Sequence, residues 1–101
     1  MAKRNKLEII RDILKIVRDS HLIKPTPLLR KSNLSSSRFK EYYLDLLDKE
    51  FIKEIYGKNK KITLTEKGYR YLEKYSAIVN FIDEFELWIS YNKLEKPADS
   101  Q

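Results

Sequence analysis

A chain of 101 residues suffices for one domain with an extended appendage, and for a modest core that needs no cross-links. It has no cysteine, hence no disulfide framework and no thiolate metal site, which fits a reducing cytoplasm, and no apolar run nears the ~20 residues that span a bilayer, so no membrane partner is expected. The net charge of +6 is uneven: residues 1–61 hold sixteen Lys/Arg against eight Asp/Glu, net +8, and residues 62–101 hold five against seven, net −2. A basic N-terminal unit joined to a weakly acidic tail suits a polyanion at one end and a different partner at the other. Abundant Lys, Glu and Ile with a single glutamine, Gln101, also suit a heat-adapted protein.

The first helix is predicted from about Lys6 to Asp19. Asn5 and Glu8 have capping-box spacing, and Ile10, Ile13, Leu14 and Val17 recur at helical spacing. Charges at Glu8, Arg11, Asp12 and Lys15 interrupt this stretch, so it is amphipathic and no signal core. Ser20, His21 and Pro25-Thr26-Pro27 turn the chain into a short second helix, with Thr26 as N-cap and Pro27 in the first helical position. Leu28 and Leu29 supply its apolar contacts, and Asn33 is suited to the left-handed conformation that stops it. A third helix from Ser35 to about Lys49 puts Phe39, Tyr43, Leu46 and Leu47 on one face. Two helices joined by the tight Ser32-Asn33-Leu34-Ser35 link outline a helix-turn-helix.

A hairpin follows. Phe51 to Tyr56 and Ile62-Thr63-Leu64 read as strands. The turn between them, Gly57-Lys58-Asn59-Lys60-Lys61, carries three lysines, and Gly57 and Asn59 are its candidates for positive φ. Thr65 caps the last helix, which has no proline to stop it before Pro97. Thirty residues of helix measure about 45 Å, more than so small a domain covers. Tyr71, Tyr75, Ile78, Ile82, Phe85, Ile89 and Asn92 are spaced 4-3-4-3-4-3, a heptad seam that Leu72, Val79 and Trp88 widen. Such a stripe needs a partner, and a second copy of the chain is the simplest one. The residue pattern divides the chain into a winged helix-turn-helix domain (1–68), a dimerisation helix (69–96) and a disordered tail (97–101). The fold class is mainly α with a small β-hairpin.

A helix-turn-helix presents the N-terminal residues of its second helix to the bases. That nominates Ser36, Ser37, Arg38, Lys40 and Glu41 for DNA contact, unless Ser35 to Ser37 act only as caps and Arg38 packs its stem on Tyr42. Lys58, Asn59, Lys60 and Lys61 form a positive wing tip suited to the minor groove or flanking phosphates. Lys3 and Arg4, with Lys6, make a basic arm that either touches phosphate or hangs free. Tyr71, Tyr75, Ile78, Ile82, Phe85 and Ile89 are the candidate dimer interface. His21, the single histidine, sits at a helix end with no second ligand in view and reads as a local cap. Asp45 and Asp48, like Glu84 and Glu86, lie on charged helix faces, and the chain's two glycines, Gly57 and Gly68, form no phosphate-cradling loop. No catalytic residue, metal, cofactor or small-molecule substrate is therefore expected.

Leu64-Thr65-Glu66-Lys67-Gly68, followed by Tyr71-Leu72, resembles the strand-to-helix junction of winged-helix regulators. The wider order is Met1-Ala2-Lys3, Leu7-Glu8-Ile9-Ile10 opening the first helix, Asn33-Leu34-Ser35 before the recognition helix, Tyr42 within it, Ile52 opening the wing, then this junction and one long terminal helix. Over nearly the whole chain that order resembles the crenarchaeal 10a-type chromatin proteins. The resemblance implies a winged helix whose C-terminal helices pair as an antiparallel coiled-coil homodimer. It implies largely sequence-independent binding to double-stranded DNA, with bridging or coating of archaeal chromosomal DNA in a nucleoid-associated, cytoplasmic setting. Carried over, the recognition surface falls on Ser36, Ser37, Lys40 and Glu41, and the wing on Lys58 to Lys61. Two departures stand out: Pro25 and Pro27 in place of a more glycine-like turn, and an unusually aromatic dimer helix. Two other readings are a sequence-specific winged-helix transcriptional regulator, to which Glu41 on the recognition face is suited, and a protein-docking winged helix.

Overall fold

The computed structural model describes residues 4–85. Within them lie helix α1 (Lys6–Ser20), α2 (Pro25–Ser32) and α3 (Ser36–Asp48), strands β1 (Ile52–Ile55) and β2 (Lys61–Leu64), and α4 (Glu66–Glu84). Lys3, the tail, and residues 86–96, over which the sequence predicts the last helix to continue, with Trp88, Ile89 and Asn92, lie outside the described residues.

The start of α1 follows from its cap. The Glu8 amide donates to Asn5 Oδ1 (2.8 Å), and Glu8 Oε1 accepts from the Asn5 amide (2.9 Å), so two otherwise unpaired groups are satisfied reciprocally. Ile9, Ile10, Ile13, Leu14 and Val17 form its buried face. The helix ends at His21, which adopts φ 65° and is exposed.

Helix α2 begins earlier than the sequence predicts. Lys24 is the N-cap and makes no side-chain capping bond; Pro25, not Pro27, opens the helix. Both prolines fall in the first turn, where backbone N–H groups have no intrahelical acceptor, so neither costs a hydrogen bond. The entry is fixed from outside: Ile23 pairs antiparallel with Ile62 of β2 through N–H···O bonds of 3.1 and 2.7 Å. Thr63 Oγ1 adds a bond to the His21 carbonyl (2.9 Å). Asn33 closes α2 in the left-handed conformation (φ 59°), as its residue type predicts.

Ser35 caps α3, accepting from the Arg38 amide (3.3 Å), and Phe39, Tyr43 and Leu46 are buried. The helix ends in a Schellman arrangement: Phe51 N–H donates to the Leu46 carbonyl (2.9 Å) and Glu50 N–H to that of Leu47 (3.0 Å). Glu50 takes φ 63°, a position that usually favours glycine. The wing turn uses no positive φ; neither Gly57 nor Asn59 adopts one. A five-residue connection from Tyr56 to Lys60 reverses the chain gradually, whereas a two-residue turn demands left-handed residues. β1 and β2 pair antiparallel with Ile52 opposite Leu64 and Glu54 opposite Ile62.

The residues between β2 and α4 lock the domain. Thr65 Oγ1 accepts from the Gly68 amide (3.1 Å) and donates to the Glu50 carbonyl (2.6 Å). Lys67 Nζ donates to the Lys49 carbonyl (2.7 Å) and lies 4.9 Å from the Phe51 ring centroid. A Cβ on Gly68 would sit 2.6 Å from Leu64 Cδ1 and closer still to the Phe51 carbonyl oxygen. The Leu-Thr-Glu-Lys-Gly sequence thus knits α4 to the corner after α3, and its glycine is there for close backbone approach.

The core is built from the inner faces of α1, α2 and α3 with Ile23, Ile52, Ile62, Leu64 and Leu72. In α4, Tyr71 packs edge-on to Phe51 (5.6 Å) and its hydroxyl donates to the Leu7 carbonyl (3.1 Å). Tyr75 stacks on Tyr71 (6.2 Å) beneath the Arg11 guanidinium (5.2 Å). Farther along, Ile78, Phe81 and Phe85 are exposed (60%, 55% and 55%), while Ile82 is buried.

Candidate nucleic-acid interface

The first turns of α3 are available to a ligand. Ser36, Ser37, Arg38, Lys40 and Glu41 are all exposed, and among them only the intervening Phe39 turns inward. The N-terminal peptide N–H groups and aligned peptide dipoles favour an anion at this end. Ser35 Oγ lies 3.5 Å from Ser37 Oγ, so the serine cluster both caps the helix and keeps small side chains at its tip. The Arg38 guanidinium lies over the Tyr42 ring, 6.0 Å from its centroid. Arg38, Lys6, Glu41, Tyr42 and Asp45 line one open hollow beside α3. The Asp45 carboxyl is held below its ordinary range, chiefly by the hydrogen bonds from Lys49 Nζ (2.8 and 2.9 Å).

The basic arm is divided. Lys6 is exposed at the start of α1, whereas Arg4 is half-buried and engaged in intramolecular bonds. Its Nη1 donates to Asp12 Oδ2 (2.8 Å) and its Nη2 to the carbonyls of Ser32 (3.0 Å) and Asn33 (3.4 Å). Those carbonyls end α2, so Arg4 caps the first helix of the helix-turn-helix from across the fold. Charge alone nominates Arg4 for a phosphate; the 28-residue reach to Ser32 leaves no local signal.

In the wing, Lys58, Asn59 and Lys60 are exposed, and Lys61 opens β2 half-buried. Sequence reasoning passed over two residues here, Glu54 and Tyr56. Glu54 lies on the inner side of β1 and accepts hydrogen bonds from Tyr43 of α3 through Oε2 and from Tyr56 through Oε1. Lys60 Nζ lies 3.3 Å from the same Oε2. The two phenol bonds, then the ammonium, hold the Glu54 carboxyl below its ordinary range. Burial and the bond to Glu54 raise the Tyr43 hydroxyl well above its own. A glutamate at an inward strand position, two residues after buried Ile52, was the available signal.

Among the described residues, no group of three or more His, Cys, Asp or Glu side chains is placed to hold a metal ion, and no helix is long and apolar enough to cross a membrane. Ile78, Phe81 and Phe85 form an exposed stripe on α4, with the Phe81 and Phe85 ring centroids 4.8 Å apart. Of the residues expected in a dimer seam, Ile78 and Phe85 lie on that stripe, Tyr71 and Tyr75 lie against the domain's own α1 side, and Ile82 is buried. Phe81, which the chosen heptad left out, is on it.

Two helices joined through a left-handed Asn33, a third packed beneath them, a two-stranded wing and a long following helix define a winged helix-turn-helix. A model of the winged helix-turn-helix family matches residues 3–83, and the chain belongs to that family. Over 81 residues the chain is 40% identical to MJ0290, an uncharacterised protein of Methanocaldococcus jannaschii; the matched stretch takes in 80% of this chain and 36% of that protein. This chain therefore spans little more than a third of that relative's length. The fold also matches that of Sso10a-2, a DNA-binding protein from Sulfolobus solfataricus, with a TM-score of 0.68 and 16% identity, over 93% of this chain and 99% of that one.

Proposed function

We propose that this protein binds double-stranded DNA, largely without regard to sequence, and organises or bridges archaeal chromosomal DNA as a homodimer. The observation that carries the reading is the exposed start of α3, where Ser36, Ser37, Arg38 and Lys40 stand free of the core on the second helix of a helix-turn-helix. The Lys58–Lys61 wing supplies a second cationic contact, and the likeness to the fold of a DNA-binding protein supports both. Lys3 and Lys6 join the phosphate contacts, while Arg4 serves from within by fixing the end of α2. The exposed Ile78, Phe81 and Phe85 stripe is the surface through which two copies pair, so that two basic modules sit at the ends of a helical rod. In this reading the DNA-binding unit extends through Tyr75, and the dimerisation segment begins near Ile78. Such a protein works in the cytoplasm, on the nucleoid.

Charge reversal of Lys58, Lys60 and Lys61 to Glu tests the DNA reading. Binding to random-sequence duplex should fall at least a hundredfold while light scattering still reports a dimer. A parent chain that binds no duplex, but binds a protein partner that the charge reversal leaves intact, would instead be a docking module. One observation favours a second reading: Glu41 is exposed on α3, where a carboxylate can accept from cytosine and repel phosphate. A site-specific regulator would keep a large preference for one sequence against competitor duplex; the proposed role predicts none.

A further inference from the structure

The wing is the most cationic loop of the described chain, yet one of its lysines is already partnered. The turn folds back so that Lys60 Nζ meets Glu54 Oε2 at 3.3 Å, and that oxygen also accepts from the buried Tyr43 of α3. The other carboxylate oxygen accepts from Tyr56, a residue 73% exposed at the base of the turn. One carboxylate therefore ties together three elements of the proposed DNA-binding face: the recognition helix, the strand β1 and the wing tip. Lys58, by contrast, is exposed and makes no ion pair among the described residues.

We infer that Glu54 tempers DNA affinity: it holds the wing against the recognition helix and competes with phosphate for the Lys60 ammonium. This rests on the DNA-binding reading above and assigns to that site an internal competitor. The physical basis is simple exchange. A phosphate that takes Lys60 must displace Glu54, and the displaced carboxylate remains nearby as a repelling charge. The Lys60 side chain is 42% exposed and that of Glu54 only 14%, so the pair opens from the lysine side and the exchange is possible but not free. The bond from Tyr43 keeps Glu54 in place while Lys60 leaves, so the wing stays docked on α3 after the ammonium turns outward. Lys58 and Lys60, alike in sequence, should thus contribute unequally: Lys58 fully, Lys60 only after its pair breaks.

The test is a double-mutant cycle read by binding of the full chain to random-sequence duplex DNA. Glu54→Gln keeps an oxygen that accepts from Tyr43 and removes the charge. It should bind about two- to five-fold more tightly than the parent, the range that a solvent-accessible ammonium in an ion pair spans. Lys60→Gln should weaken the parent less than Lys58→Gln does. In the Glu54→Gln background, Lys60→Gln should cost as much as Lys58→Gln. Glu54→Gln binding no tighter than the parent, with an unchanged circular dichroism spectrum, would overturn the inference. So would Lys60→Gln costing the same in both backgrounds. If Glu54→Gln fails to fold, the two single lysine variants decide: equal losses overturn the competition, and a smaller loss at Lys60 supports it. A parent chain that binds no duplex at any salt concentration would instead remove the DNA-binding reading itself.

Discussion

In the first half of α4, Tyr71 and Tyr75 lie against the domain: one hydroxyl reaches the Leu7 carbonyl, and the two rings stack beneath Arg11. In the second half, Ile78, Phe81 and Phe85 face outward with more than half of their surface open. One helix with one run of aromatics thus serves two purposes, and the change falls between Tyr75 and Ile78. The difference teaches that heptad spacing identifies an apolar stripe without saying what covers it. Near the domain, the stripe is consumed by α1 and by Phe51 after α3. Beyond it, Ile78 and Phe85 keep the seam's phase but are uncovered, and Phe81, about 100° round the helix from Ile82, takes the outward place that spacing alone gave to Ile82.

The comparison can be broken at either end. The largest expected effect is at the junction that fastens the near half. Gly68→Ala forces a methyl against the Phe51 carbonyl and the Leu64 side chain, and should destabilise the fold by about 1–3 kcal/mol in urea melts. An unchanged melting midpoint would mean that α4 is not held at that corner. At the far half, Phe81→Asp should leave the stability of the domain within about 0.5 kcal/mol, as for an ordinary surface change. It should raise the dimer dissociation constant at least tenfold, a loss of about 1.4 kcal/mol, by sedimentation or light scattering. A variant that stays dimeric would move the interface elsewhere.

Tyr71→Phe sharpens the contrast from within the near half. Losing the bond to the Leu7 carbonyl should cost about 0.5–1.5 kcal/mol at neutral pH and leave dimerisation unaffected. The same variant should alter the alkaline limb of stability. Burial pushes the Tyr71 hydroxyl up to about 12, and burial with the Glu54 bond moves Tyr43 in the same direction. A raised folded-state value means that the unfolded chain loses its proton first. The stabilisation is therefore complete below the ordinary tyrosine value of about 10 and fades as pH climbs through the folded value. Melting midpoints between neutral and strongly alkaline pH should fall less steeply for Tyr71→Phe than for the parent. The smallest effect belongs to Glu50→Gly, which should gain about 0.5 kcal/mol, the relief of a left-handed side-chain clash less the added freedom of the unfolded chain. A loss there would show that the Glu50 side chain does something its backbone position does not reveal.

What was legible in the sequence was what neighbours in the chain decide. Asn5 with Glu8, Asn33, Ser35 and Thr65 all cap or stop their helices because capping needs only a few consecutive residues. The apolar faces of α1 and α3 and the strand pair were equally local. What failed to show was set at a distance. Helix α2 opens at Pro25 because Ile23 is pinned to Ile62, nearly forty residues on. Besides Asn33, the residues with positive φ are His21 and Glu50, set by helix ends, and not the flexible-looking Gly57 and Asn59 of a turn long enough to avoid strain. At the candidate site, exposure of Ser36 to Glu41 followed from helical phase. The capping role of Arg4 and the Tyr43–Glu54–Tyr56 joint did not, since each depends on which strand or helix end arrives from elsewhere.

The most direct test of the central claim is the salt dependence of binding to random-sequence duplex DNA. If each of two modules neutralises about four phosphates, log K should fall against log salt with a slope near −7, with no preference among sequences. A slope near zero, or binding confined to one sequence, would contradict the account.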